Sequence, residues 1–166
     1  MAYKNIVLFG FMGTGKTCIG KEVARKLDMT FVDMDDLVVG RAGKTIPQIF
    51  SEDGENHFRA LERQVVVDLS RQSGLVIATG GGVIKNAENV SDLGCDGLEI
   101  CLTAKPDIIL GRVEDDTSRP LLNTDDRLVT IKALLHAREH LYNSIPNQID
   151  TSEMTVDEAV EKIVTM

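Results

Sequence analysis

Residues 10–17 read Gly-Phe-Met-Gly-Thr-Gly-Lys-Thr and constrain the fold more than any other segment. Two glycines bracket four residues and precede Lys and Thr, after an apolar run at residues 6–9 and before apolar residues at helical spacing. Such a loop binds phosphate in that context, because glycine permits a turn that directs backbone N–H groups toward an anion. The segment predicts a nucleoside triphosphate site, in which Lys16 reaches the β- and γ-phosphates and Thr17 ligates Mg²⁺.

Further apolar segments predict the other strands and helices. Continuous apolar runs are typical of parallel strands that are buried on both faces. Besides the first run, the predicted strands are residues 30–36, 75–79, 97–103 and 147–151. Apolar residues at helical spacing predict helices between them, and a capping-box pattern at residues 155–158 begins the last helix. With 166 residues, the chain is expected to form one domain over residues 1–166.

The charge and the cysteine content limit which partners the protein is expected to bind and in which compartment it is expected to lie. The net charge of -8 and the pI of about 4.9 argue against nucleic acid, because that affinity needs clustered Lys and Arg. Three cysteines without Cys-x-x-Cys spacing indicate a reducing, cytoplasmic compartment and no zinc site. We find no signal-peptide pattern and no apolar run of the roughly 20 residues that a membrane span needs. The acidic surface favours a monomer.

Two acids follow the second predicted strand. If residues 30–36 are extended, Asp33 and Asp35 project to the same side at the carboxyl end of the strand, where ligands bind in open parallel sheets. Two carboxylates beside a triphosphate repel it unless a metal ion lies between them. One acid is therefore predicted to support Mg²⁺ and the other to accept a proton. The same residues fit equally well an acidic strand-to-helix turn that caps a helix.

Two later segments carry candidate substrate contacts. Arg59 lies at the edge of an apolar helical stripe, and Glu62 can hold its guanidinium in the orientation that suits a planar anion such as a carboxylate. A surface ion pair of Arg59 with Glu55 or Glu62 is the alternative. Residues 80–82 are three glycines after the third predicted strand, and they would let a ligand contact backbone N–H groups. A flexible turn would also tolerate them.

The segment at about residues 113–126 is polar and acidic around Arg119, which precedes Pro120. A lid that closes over a site has this composition, and so does an ordinary surface loop. An arginine isolated among acids is a candidate for closing on the phosphates.

Together, these segments resemble the shikimate kinase family nearly end to end. The matching features are the phosphate loop, Asp-x-Asp at 33 and 35, Phe58-Arg59 with Glu62, Gly80-Gly81-Gly82, Arg119-Pro120-Leu121-Leu122, and Arg138 with Tyr142. The resemblance implies a P-loop kinase fold, a three-layer α/β/α domain with five parallel strands in the order 2-3-1-4-5. It implies transfer of the ATP γ-phosphate to the 3-hydroxyl of shikimate, giving shikimate 3-phosphate for aromatic amino acid biosynthesis.

The resemblance also implies which residues bind the nucleotide. The triphosphate is expected at the Lys16 side chain and at the backbone amides of Gly13, Thr14, Gly15, Lys16, Thr17 and Cys18. Mg²⁺ is expected at Thr17 and Asp33, with Asp33 acting through water. Arg119 is expected to approach the phosphates, and Arg112 to lie against adenine.

For the acceptor, the resemblance implies a substrate-binding region at about residues 33–62. Asp35 is expected to hydrogen-bond the reacting hydroxyl as the base, so that Asp35, Lys16 and Arg119 form the catalytic set. Arg59 and Arg138 are expected to clamp the shikimate carboxylate. Backbone contacts to the substrate are expected from Gly80, Gly81 and Gly82.

Two departures from the family pattern stand out. Where many relatives carry a basic residue after the last strand, near adenine, this chain reads Ser152-Glu153-Met154. The segment before Arg119 is more acidic than expected beside a triphosphate, and we predict that its acids face solvent when the lid is closed.

Other functions remain as alternatives. A small-molecule kinase of the same fold could act on gluconate or a nucleoside monophosphate, although two arginines favour a compact, acidic acceptor. A GTPase-type switch is disfavoured, because the chain has neither an Asn-Lys-x-Asp nor an Asp-x-x-Gly motif. A non-catalytic nucleotide-binding module is disfavoured by the presence of Lys16 together with Asp33 and Asp35.

Overall fold

The predicted strands lie side by side in one parallel sheet. The computed structural model describes residues 3–113 and 126–166, and within these ranges five strands pair in the order β2-β3-β1-β4-β5. All four pairings are parallel, so the order and direction implied by the family resemblance are confirmed. The strands are β1 (Asn5–Gly10), β2 (Thr30–Asp33), β3 (Leu75–Ala78), β4 (Gly97–Thr103) and β5 (Asn147–Asp150).

The central strand β1 divides the core into two clusters. Its side chains alternate, so Ile6 and Leu8 join the cluster on one face while Val7 and Phe9 join the cluster on the other. All of β1 is buried, which explains why it reads as a continuous apolar run rather than an alternating one. The register is fixed on both sides, and Ile6 lies opposite Val76 of β3 and Leu98 of β4.

Helices cover both faces of the sheet and complete a three-layer domain. In the described ranges they are α1 (Lys16–Leu27), α2 (Met34–Ala42), α3 (Ile46–Gln48), α4 (Glu55–Ser70), α5 (Ala87–Gly94), α6 (Pro106–Val113), α7 (Arg127–Tyr142) and α8 (Val156–Val164). A π-helical turn (Ile49–Asp53) precedes α4, and a 3-10 turn (Val83–Lys85) precedes α5. Helices α1 and α8 pack on the Leu8 face, and α2, α4, α5, α6 and α7 contribute to the Phe9 face.

The second strand is shorter than predicted, and this corrects the expectation for the acids. Strand β2 ends at Asp33 and α2 begins at Met34, so Asp35 lies in the first turn of a helix and not in an extended strand. The Asp33 side chain caps α2 by accepting a 3.0 Å hydrogen bond from the backbone N–H of Asp35. Acids in the first turn also interact favourably with the helix dipole, so these residues form the helix cap that the alternative described, and the cap leaves both acids lining the cleft.

The helix ends show how local sequence sets these boundaries. Thr155 and Glu158 form the predicted capping box, with reciprocal side-chain to backbone hydrogen bonds at the start of α8. Thr45 and Gln48 form a second capping box that the sequence analysis did not identify. Across residues 3–113 and 126–166, no helix is both long and apolar enough to cross a membrane.

Candidate active site

The phosphate loop between β1 and α1 has the backbone conformation that its glycines predict. Gly10, Gly13 and Gly15 have φ angles of 140°, 74° and 98°, which residues other than glycine rarely adopt. A Cβ at Gly10 would also collide with the carbonyl oxygen of Leu102 in β4. Lys16 Nζ donates to the carbonyl oxygens of Gly10 and Phe11, at 2.8 Å each, and so folds back over the loop.

A cleft of about 320 Å³ opens beside this loop at the carboxyl ends of β2 and β3. It brings together the predicted phosphate-loop residues except the buried Thr14, both acids, the middle glycine of the triplet and the predicted adenine contact. Its lining comprises Met12, Gly13, Gly15, Lys16, Thr17, Cys18, Asp33, Asp35, Thr79, Gly81, Arg112 and Val113. Although Asp35 lies on a helix, it faces the same cleft as Asp33, as the prediction required.

The acid next to the loop is held by a neighbouring hydroxyl. Thr17 Oγ1 donates to Asp33 Oδ2 at 2.9 Å, so the two predicted Mg²⁺ contacts are adjacent. Burial is the main cause that raises the pKa of Asp33, with a further contribution from the Asp35 charge, against the lowering effect of the Thr17 hydrogen bond. A cation would relieve the cost of keeping this carboxylate charged.

The available oxygens fit Mg²⁺ in particular. In the described part of the chain there is no group of three or more His, Cys, Asp or Glu side chains that could enclose a metal ion. One hydroxyl and one carboxylate suit a metal that keeps several waters and takes its remaining ligands from substrate phosphates. This is the usual arrangement for Mg²⁺ in kinases.

Arg59 lies in an adjoining cleft of about 410 Å³ and is held by two acids. Its Nη1 lies 2.9 and 3.0 Å from the two carboxylate oxygens of Glu62, which is 3% exposed. Its Nε and Nη2 lie 3.4 and 3.3 Å from Oε1 of Glu55. Burial raises the pKa of Glu62, opposed mainly by the Arg59 charge. Glu62 thus holds the guanidinium in a fixed orientation, as predicted, and Arg59 also forms the ion pairs with Glu55 and Glu62 that the alternative described.

The glycine triplet lies between the two clefts. Gly81 lines the cleft of the phosphate loop, and Gly82 lines the cleft of Arg59. The carbonyl oxygen of Gly81 accepts hydrogen bonds from Arg138 Nη1 at 3.2 Å and from the Tyr142 hydroxyl at 2.8 Å. Arg138 is 7% exposed and its guanidinium lies 5.7 Å from the ring centroid of Phe11 in the phosphate loop. Burial raises the pKa of Tyr142 to about 12, so its hydroxyl remains a donor.

Arg112 contacts the phosphate loop and a threonine that the sequence analysis missed. Its Nη1 lies 3.2 Å from the Gly13 carbonyl oxygen and 3.0 Å from Thr151 Oγ1, and its Nη2 lies 2.8 Å from the Thr151 carbonyl oxygen. Thr151 is 2% exposed, and its hydroxyl lies 2.9 Å from the carbonyl oxygen of Thr14. It therefore joins the end of β5 to the loop across 137 residues, for which no local sequence signal exists.

The segment that departs from the family pattern makes its own contacts. Lys105 Nζ lies 2.6 Å from Glu153 Oε1, and the Lys105 backbone N–H donates to Ser152 Oγ at 2.8 Å. A basic residue therefore lies near this turn, although it immediately precedes α6 and does not follow β5. The predicted lid at about residues 113–126 and its Arg119 largely coincide with residues 114–125, which lie outside the described residues.

A family model described as shikimate kinase matches residues 12–166, which is most of the chain. The chain belongs to the shikimate kinase family. A shikimate kinase from Pelotomaculum thermopropionicum is 46% identical over 161 residues, covering 97% of this chain and 94% of that protein. One from Thermoanaerobacter pseudethanolicus is 43% identical over the same length, with the same coverage of both chains.

Solved shikimate kinase structures share the fold. The shikimate kinase from Acinetobacter baumannii in complex with shikimate has a TM-score of 0.94 and 35% identity, covering 98% of this chain and 92% of that chain. The Aquifex aeolicus shikimate kinase has a TM-score of 0.84 and 35% identity, covering 97% and 94%. The resemblance predicted from the motifs is thus confirmed. Shikimate kinases are ATP-dependent phosphotransferases that act on a hydroxyl of shikimate, and this chain is a member of that enzyme class.

Proposed function

We propose that this protein transfers the γ-phosphate of ATP to the 3-hydroxyl of shikimate in the two adjoining clefts described above. The observation that carries the proposal is that the phosphate loop and Asp35 line one cleft, while Arg59 lies against Gly82 and Arg138 bonds to the Gly81 carbonyl oxygen. The A. baumannii enzyme has the same fold and binds shikimate in its solved structure, which supports this acceptor.

The nucleotide is assigned to the phosphate loop. Lys16 and the backbone amides of residues 13–18 bind the triphosphate, and the Lys16 ammonium exchanges its two carbonyl partners for phosphate oxygens. Thr17 and Asp33 would hold Mg²⁺, which would neutralise negative charge on the phosphates. Arg112 lies against adenine, and its bonds to Gly13 and Thr151 fix its orientation.

The acceptor is assigned to the adjoining cleft and the glycine triplet. Arg59 and Arg138 bind the shikimate carboxylate, because planar guanidinium groups match a carboxylate in two-point contacts. Backbone groups of residues 80–82 contact the ring. Asp35 accepts a hydrogen bond from the 3-hydroxyl and so directs its oxygen toward the γ-phosphorus.

The chemical step consists mainly of alignment. The 3-hydroxyl oxygen forms a bond to the γ-phosphorus, the bond from that phosphorus to the β,γ-bridging oxygen breaks, and ADP leaves with the electron pair. The hydroxyl proton passes to the Asp35 carboxylate. Because the transition state is loose, little charge develops on the nucleophile, and Asp35 serves first to position it. Lys16 and Arg119 stabilise the charge on the transferred group.

We further propose a single domain over residues 1–166, with a substrate-binding region at about residues 33–62 and a lid at about residues 113–126. A monomer in the cytoplasm, without nucleic-acid partners, is the expected state. The three unpaired cysteines support a reducing compartment, and the net charge of -8 opposes binding to nucleic acid.

A coupled assay of ADP release tests the proposed acceptor. Shikimate, gluconate and nucleoside monophosphates are compared side by side at saturating MgATP, with Asp35→Ala as the control for contaminating kinases. The proposal expects turnover with shikimate alone. Faster turnover with gluconate or a nucleotide would reassign the acceptor, and no turnover with any of them would favour a nucleotide-binding module without catalysis.

A further inference from the structure

The outer glycines of the triplet each lie directly beneath a side chain of the proposed site. A Cβ built on Gly82 would lie 2.5 Å from both Nη1 and Nη2 of Arg59 and 2.8 Å from its Cζ. A Cβ built on Gly80 would lie 2.9 Å from Asp35 Oδ1 and 3.2 Å from Glu62 Oε1. The Arg59 guanidinium therefore rests on the bare backbone at Gly82, and the Asp35 carboxylate on that at Gly80.

Backbone conformation does not require glycine at either position. Gly82 has φ of -102°, and Gly80 is not among the residues with positive φ in the described ranges. The phosphate loop is different, because Gly10 combines a φ of 140° with a backbone carbonyl in the way of any side chain. Because the outer glycines lack a Cβ, they leave room beside the backbone. The ends of flexible side chains, those of Arg59 and Asp35 foremost, occupy this room.

We propose that Gly80 and Gly82 are positioning residues with separate tasks, Gly82 for the guanidinium of Arg59 and Gly80 for the carboxylate of Asp35. This inference rests on the roles of Arg59 and Asp35 under the proposed function. A methyl group at Gly82 displaces the Arg59 guanidinium, and one at Gly80 displaces the Asp35 carboxylate. Neither substitution requires the surrounding backbone to shift. The closest contact of the added methyl group is therefore with Asp35 in Gly80→Ala and with Arg59 in Gly82→Ala, so the two substitutions differ in the group they displace first.

The two alanine variants are expected to differ in kinetics. Gly82→Ala raises the KM for shikimate about tenfold, which is the loss of one charge-assisted hydrogen bond, and leaves the KM for ATP within about twofold. Gly80→Ala lowers kcat by about 10- to 100-fold, because a shift of about 1 Å in a reacting group has effects of that size. A merely structural role would lower both parameters together with the melting temperature.

A double-mutant cycle tests whether Gly82 acts through Arg59. Shikimate dissociation constants are measured by calorimetry for the wild type, Gly82→Ala, Arg59→Ala and the double variant, with melting temperatures for each. Gly111→Ala in α6 is the control, because a Cβ there has no atom within 4 Å and the residue lies outside the proposed substrate-binding region. We expect Gly82→Ala to weaken binding about tenfold in the wild type and less than about twofold in the Arg59→Ala background.

Each outcome of the cycle is informative. Equal effects of Gly82→Ala in both backgrounds would mean that the methyl group obstructs the ligand directly, and would overturn the inference. If Arg59→Ala weakens binding but Gly82→Ala does not, the inference fails while the proposed clamp stands. If Arg59→Ala leaves binding unchanged, the clamp itself fails.

Folding and the second glycine provide two further checks. Should Gly82→Ala not fold, adding Arg59→Ala is expected to restore folding because it removes the collision, and the absence of rescue would contradict the inference. For Gly80, the same cycle is run on kcat with Asp35→Asn. Gly80→Ala is expected to change kcat less than about twofold in that background, and a full additive loss would exclude positioning of Asp35.

Discussion

Replacing Arg59 by lysine tests the carboxylate clamp while the positive charge is retained. In the structure, Nη1 of Arg59 bonds both oxygens of Glu62, and Nε and Nη2 face Glu55 on another edge. A lysine ammonium has no second edge at a fixed angle, so it cannot remain bonded to Glu62 and also bind the substrate carboxylate at two points. At least one charge-assisted hydrogen bond to the substrate is lost.

The size of the effect follows from that loss. A hydrogen bond to a charged group contributes about 1.5 to 3 kcal/mol, which corresponds to roughly a 10- to 150-fold increase in the KM for shikimate. The KM for ATP is expected to change less than about twofold, because Arg59 does not line the cleft of the phosphate loop. Because Asp35 remains in place, kcat should fall by a smaller factor than KM rises.

The assay is steady-state ADP release with shikimate varied at saturating MgATP, and then with ATP varied at saturating shikimate. Arg63→Lys is a matched control, since Arg63 lies one turn further along α4 and pairs with Asp92 and Asn89 of α5. We expect the control to keep wild-type constants. An unchanged KM for shikimate in Arg59→Lys would refute the clamp, and an equal rise in both KM values would indicate general damage to the fold.

Asp35→Ala is expected to lower kcat by several orders of magnitude while ATP binding, measured by calorimetry, persists; near-normal turnover would remove Asp35 from its role. Thr151→Val keeps the side-chain volume but removes the hydroxyl bonded to the Thr14 carbonyl, so urea titration should show a loss of about 1 to 3 kcal/mol in unfolding free energy, and no loss would contradict this link. Burial raises the pKa of Glu99, so the native state binds its proton more tightly than the unfolded chain, and ionisation reduces stability as pH rises. Glu99→Gln should therefore raise the melting temperature at pH 7, with a gain that disappears below the ordinary glutamate pKa of 4.5, whereas a gain independent of pH would exclude this cause.

The strands and the phosphate loop could be predicted because their signals are local. A strand buried on both faces must be continuously apolar, and residues 6–9 show this directly. The loop glycines are required by positive φ, which only a few residue types tolerate. The length of β2 was predicted wrongly because acids at a strand end fit both an extended chain and a cap. The hydrogen bond from the Asp35 N–H to Asp33 selects the cap.

The support around the site could not be predicted because it consists of distant pairs. Thr151 bonds to the carbonyl of Thr14, 137 residues away in the chain, and Tyr142 bonds to that of Gly81, 61 residues away. Nothing in the sequence around Thr151 or Tyr142 indicates which backbone carbonyl its hydroxyl will bond. The glycine triplet was interpreted as open backbone for a ligand, and its outer members prove to lie beneath Asp35 and Arg59. Only the packing of α2 and α4 over β3 reveals that contact.

The most direct test of the account is a crystal structure with shikimate and a non-hydrolysable ATP analogue with Mg²⁺. We expect the 3-hydroxyl within about 2.6 to 3.2 Å of an Asp35 oxygen and aligned with the γ-phosphate, with the carboxylate held between the guanidinium groups of Arg59 and Arg138. Shikimate bound with its carboxylate away from both arginines, or with its 3-hydroxyl away from Asp35, would contradict the account.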